Sequence, residues 1–290
     1  MAVRLAFMWF GVRKALTSEQ KSRAADAFDA QGDYISAGKK LLDTKHRLFR
    51  AVTRVKNHAT SYWRALTLPF PESGIRLIRE DRIEEFDRRM GEFQEELDQA
   101  VAYLEQHYAE LRTAASRRLG SLYDPADYPS SLEGLFRIDW DFPSIEPPDY
   151  LMELHPGLFR RESQRIAARF DDAVRLAEEA FANELSKLVS HLSERLKGDA
   201  DGKPKIFRDS AVENLSGFFR RFRELSVGSN AELDELVSDA ERIVRGVEPQ
   251  QLRDSGRLRE RLAEQLTDVQ SVLDDLLVDR PRRRILRNPR

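Results

Sequence analysis

Cysteine is absent from this 290-residue chain, which removes disulfides, thiolate-held zinc and iron–sulfur centres together. Glycine and proline are scarce, at 14 and 12 residues, the profile of a helix-rich or coiled-coil-rich chain rather than a disordered one. Long apolar runs are missing too. The longest near the start, Leu5 to Val12, is followed by Arg13 and Lys14 where a secretory leader would place small cleavage-site residues. Nothing later approaches the ~20 apolar residues of a membrane span. These absences lead us to expect a soluble, cytoplasmic protein.

What is abundant is charge, and it is unevenly placed. The net charge is only -2, yet residues 1–64 hold thirteen Lys and Arg against five acids, and Arg280 to Arg290 holds six arginines and no acid. The first segment is thus +8 and the last +6, leaving -16 for residues 65–279. Basic ends around an acidic body suggest a polyanionic partner or association through opposite charges.

The N-terminal alternation of Val3, Leu5, Phe7 and Trp9 with Ala2, Arg4, Ala6 and Met8 predicts a short, largely buried strand. A helix capped by Thr17 or Ser18 should follow. From Ala37 to Leu66 the apolar positions Leu41, Leu48, Val52, Val55, Ala59, Tyr62 and Leu66 form one helical seam. The same segment carries Lys39, Lys40, Lys45, Arg47, Arg50, Arg54, Lys56 and Arg64 against Asp43 alone. Pro69, Pro71 and Gly74 must end it. A second seam from Ile83 through Ala115 predicts a rod of about 40 residues, folded back on the basic helix as an antiparallel hairpin.

Gly120 to Pro148 breaks the helical pattern, and within it Phe136, Ile138, Trp140 and Phe142 alternate with Arg137, Asp139 and Asp141, a strand that should pair with the N-terminal one. Another long helix is expected from Pro156 to Gly198, then shorter ones from Ser210, from Asn230 and over Gly256–Val278. The expected fold is mainly α: long antiparallel coiled-coil-like helices with a small β-sheet. The expected divisions are a strand and helical hairpin over 1–120, a connector over 121–156, a helical region over 157–279 and a basic disordered tail over 280–290.

The search for chemistry removes most candidates. Gly32 to Lys40, GDYISAGKK, has one residue too many between its glycines for a phosphate-binding P-loop, and lacks the Ser or Thr that would reach magnesium. None of His46, His58, His107, His155 and His191 has a Glu three residues before it or a second His within helical reach, which eliminates the Glu-x-x-His and zincin arrangements. Asp139 and Asp141 share one side of their strand, with Glu146 and Asp149 nearby, and two carboxylates so placed could hold a divalent metal. A solvent face explains the same alternation. No catalytic residue, metal or cofactor is assigned.

Cation clusters remain. Lys40, Arg47 and Arg54 are seven apart with Arg50 between them, so on a helix the four share one side, and Arg282, Arg283, Arg284 and Arg287 crowd the tail. Such clusters attract phosphates. Pairing with the chain's own acidic helices is the competing explanation for the helix, whereas the tail has no acid to neutralise it.

Several runs, WFGVRKAL, TLPFPESGIRLI, RRLGSLYDPADYPS, FRIDWDFPSIEPPDY, KIFRDSAVENL and GVEPQQLRD, resemble an uncharacterised family of bacteriophages and integrative mobile elements. The resemblance implies a gene carried near a MoxR-type AAA+ ATPase or recombination genes, and offers no catalytic residues. The leading expectation is a non-enzymatic helical interaction or assembly protein that meets itself or a protein partner such as an AAA+ ATPase. The alternative is a nucleic-acid-binding accessory protein using the basic helix over 39–64 and the Arg-rich tail. No membrane partner is expected.

Overall fold

A computed structural model describes residues 1–197, 210–228 and 230–278. The elements in chain order are β1 (Ala2–Met8), β2 (Arg13–Ala15), α1 (Ser18–Asp26), β3 (Gly38–Lys40), α2 (Arg47–Leu66), β4 (Thr67–Pro69), β5 (Ile75–Ile78), α3 (Ile83–Gln106), α4 (Tyr108–Leu119), β6 (Arg137–Asp141), α5 (Tyr150–Leu154), α6 (Pro156–Lys197), α7 (Ser210–Leu225), α8 (Ala231–Val244), α9 (Pro249–Asp254) and α10 (Gly256–Val278). The protein is mainly helical with a small antiparallel sheet. It divides into two compact units, Met1–Leu66 with Ile78–Ser144 and Thr67–Leu77 with the chain from Ile145 onward.

In the first unit β1 pairs antiparallel with β6, from Arg4 opposite Asp141 to Met8 opposite Arg137. Ile78 exchanges backbone hydrogen bonds with Met1, 2.8 Å each way. The buried faces of α2 and α3 meet in one core that also takes Val3 and Leu5 of β1, Ile138 of β6 and Phe136 just before it. Tyr62 of α2 stacks on Phe86 of α3 at 6.1 Å and meets Phe93 edge-on at 5.9 Å. Each fully buried Leu, Met or Phe there contributes roughly 1.5–3 kcal/mol by leaving water.

Three expectations are corrected. The basic helix begins at Arg47, not near Ala37. Gly38–Lys40 is instead a strand, paired with β2, and the reason is local. A Cβ on Gly38 would sit 3.1 Å from the Lys14 carbonyl, so glycine lets the two strands come this close without either giving way. Asp43 then turns the chain, accepting from the Lys45 amide at 2.9 Å. The 40-residue rod is two helices, α3 of 24 residues and α4 of 12, parted at His107. The His107 amide closes a tighter turn onto Leu104 at 3.1 Å, and its ring nitrogen Nδ1 lies 3.0 Å from the Tyr103 carbonyl. Finally, α9 stands where no helix was expected; Glu248 and Gln251 cap it reciprocally and Pro249 opens it.

In the second unit the later half of α6 packs with α7, α8, α9 and α10 around Phe181, Leu185, Leu192, Phe218, Leu233, Leu252 and Leu266. Phe222 meets Phe181 edge-on at 5.0 Å. Gln270 of α10 donates to Ser186 of α6 at 2.8 Å. Between β4 and β5, Arg76 donates to both the hydroxyl and the carbonyl of buried Thr67, at 2.7 and 2.6 Å.

Candidate nucleic-acid interface

The helix α2 has two faces with different chemistry. Leu48, Phe49, Val52, Val55 and Ala59 are buried, and they fix which way the helix is turned. On the opposite side Arg47, Arg50, Arg54, Asn57, Ser61 and Arg64 follow one another at spacings of three and four, and all six are exposed. Every one of them carries a hydrogen-bond donor, and α2 contains no acid at all.

The first part of this stripe works against the helix that carries it. Arg47 and Arg50 stand in the first turn, where the positive end of the helix dipole disfavours cations, and Arg50 and Arg54 are a like-charged pair one turn apart. Nor do the other described residues neutralise it. Among the described residues none of Arg47, Arg50, Arg54, Arg64 or Lys40 forms an ion pair, whereas the arginines leading into and along α3 are matched by acids. Arg82 pairs with Glu85 at 2.8 Å, and Arg89 with Glu92 and Glu96 at 2.8 and 3.0 Å. Lys56 is used internally, its ammonium 4.9 and 4.7 Å from the rings of Phe7 and Trp9.

Lys40 is exposed but is not part of this stripe. It lies on β3 opposite Arg13 of β2, while Lys39 lies opposite Lys14. The second pair points to Asp127, which ion-pairs with both lysines. Lys39 also donates to the Leu122 carbonyl at 2.7 Å. Burial opposes ionisation of Asp127, but hydrogen bonds from Lys14 and Lys39 outweigh it and hold the carboxyl below its usual range. The same hydrogen bond raises Lys14. Next to this pin, Tyr128 donates to the Leu41 carbonyl at 2.9 Å. Arg13 and Lys40, on the other side of the ribbon, are left exposed as a cross-strand pair of like charge.

The other candidates are disposed of locally. Asp139 bonds Arg137 of its own strand at 2.9 Å, and Asp141 lies 3.4 Å from Arg4 on the paired strand. No group of three or more His, Asp or Glu among the described residues is placed to hold a metal, and no helix among them is long and apolar enough to cross a membrane. His58, His155 and His191 are exposed and separate. Arg282, Arg283, Arg284 and Arg287 lie outside the described residues.

Of the residues singled out from sequence, then, Arg47, Arg50 and Arg54 share one exposed helix face and Lys40 belongs to a different element. The sequence reading missed Arg13, Asn57 and Ser61. Counting uncharged donors as well as cations along the three-four stripe would have found the last two; Arg13 becomes visible only when β2 is paired with β3. Comparison with protein-family models, curated proteins and solved structures returned no match.

Proposed function

We propose that this chain is a non-catalytic nucleic-acid-binding protein that grips the phosphate backbone with the outward stripe of α2. The observation that carries the reading is an exposed row of four arginines with Asn57 and Ser61, with no carboxylate paired to it among the described residues, and with Arg47 and Arg50 placed where they cost the helix rather than support it. Arg13 and Lys40 on the β2–β3 ribbon supply two more cations from the same unit. The arginines at 282, 283, 284 and 287 are a further phosphate contact on the evidence of their sequence. Fluorescence anisotropy with labelled DNA in low salt tests the reading. The 290-residue chain binds, and Arg50→Gln/Arg54→Gln weakens it severalfold with far-UV circular dichroism unchanged. Equal binding by the variant refutes the role of α2.

A second reading, assembly with a protein partner, has its own observation. Tyr150, Met152 and Leu154 are large apolar side chains within one five-residue helix, and all three are exposed. The partner would be a second copy or, as the sequence resemblance implies, an AAA+ ATPase. Light scattering coupled to size exclusion, with and without Met152→Ser/Leu154→Ser, tests self-association.

A further inference from the structure

We infer that the preferred ligand of the α2 face is double-stranded rather than single-stranded nucleic acid, an inference that rests on the nucleic-acid reading above. Proteins that hold single strands combine cations with aromatic platforms on which successive bases stack. A surface with cations and no platform keeps only the phosphate term, and that term is largest on a duplex, where the charge density is highest.

On α2 the Phe, Tyr and Trp rings are all committed elsewhere. Phe49 is buried, Tyr62 is stacked on Phe86 and edge-on to Phe93, and Trp63 is half-buried. The stripe itself offers only Arg, Asn and Ser, flanked by the single exposed ring of His58. The nearby strand rings are engaged as well: Trp9 meets Phe136 edge-on at 4.9 Å and lies 6.3 Å from Phe7, with the Lys56 ammonium over both Trp9 and Phe7.

The first unit does expose two rings almost completely, Phe28 and Tyr34, in the segment that follows α1. Their neighbours decide against base stacking. Asp26 and Asp29 bracket Phe28 and Asp33 precedes Tyr34, so a strand laid on these rings would bring its phosphates against three carboxylates. The stripe, by contrast, runs from Arg47 to Arg64, about 25 Å at 1.5 Å per residue, as a straight rod of donors. A stiff, densely charged duplex presents phosphates to such a rod without having to be ordered first, whereas a flexible single strand must lose conformational freedom with no stacking in return.

The test is a competition at about 50 mM salt between a mixed-sequence 20-mer duplex, its isolated strand and oligo(dT) of equal length. The expected result is duplex binding at least about tenfold tighter than either single strand, unchanged by Phe28→Ala/Tyr34→Ala and weakened severalfold in Arg50→Gln/Arg54→Gln. Single-strand binding equal to or tighter than duplex binding overturns this inference and leaves the nucleic-acid reading standing, as does loss of affinity in Phe28→Ala/Tyr34→Ala. Binding to none of the three overturns both.

Discussion

Lys39 and Asp127 meet at 2.5 Å with side chains only 5% and 1% exposed, so a lysine from the β2–β3 ribbon is taken out of water and held by one carboxylate. Asp127→Ala leaves that ammonium buried without its partner, a situation that costs about 3 kcal/mol or more. Urea unfolding of the variant should show the midpoint shifted accordingly; an unchanged midpoint would mean that Lys39 escapes to solvent at little cost.

The same pin makes stability pH-dependent. The Asp127 carboxyl is held below its unfolded value of 3.8, so its contribution is complete above that pH and is lost as pH falls through the lower folded value. Lys14 is raised above 10.5, so its part is present below that pH and lost as pH rises past it. Thermal melts between pH 2 and 6 should fall more steeply for the wild-type protein than for Asp127→Asn, which has no such carboxyl to protonate. Parallel curves would contradict this.

Tyr108 offers a change in the opposite direction. Its ring is buried, its hydroxyl has no hydrogen-bond partner among the described residues, and burial pushes its pKa up to about 12. Because a buried unpaired hydroxyl costs roughly 1–3 kcal/mol, Tyr108→Phe should leave the protein equally stable or stabilise it by about 1 kcal/mol. A clear loss on urea unfolding would reveal a partner for the hydroxyl.

The elements that were legible in sequence are those whose side chains carry their own periodicity. Val3, Leu5 and Ile138 announced the β1–β6 pair, and Phe181 through Leu196 announced the later half of α6. The break at His107 left no mark, because Leu104, Tyr108 and Leu111 keep the three-four rhythm across it. The β2–β3 ribbon was hidden for another reason: Lys39 reads as a solvent-facing cation until Asp127, eighty-eight positions away, is brought beside it. Half of the candidate interface shared that difficulty. The row Arg47, Arg50, Arg54 was visible as a charge pattern, but its freedom from carboxylates depends on which acids α3 and its flanks turn toward their own arginines.

On the ribbon, Arg13→Glu should separate stability from binding. It replaces a like-charged cross-strand pair by an opposite one with Lys40, a gain of roughly 0.2–1 kcal/mol, while weakening DNA affinity severalfold. A variant that melts higher and binds worse fits; one that binds as well as wild type removes Arg13 and Lys40 from the interface.

The salt dependence of duplex affinity tests the central claim most directly. Each phosphate neutralised contributes about 0.9 to the slope of log K against log salt, so replacing Arg47, Arg50, Arg54 and Arg64 by Gln should flatten that slope by up to about 3.6. The far-UV spectrum should stay unchanged. A variant whose slope equals that of the wild-type protein would show that phosphate is bound elsewhere and that the outward face of α2 is not the interface.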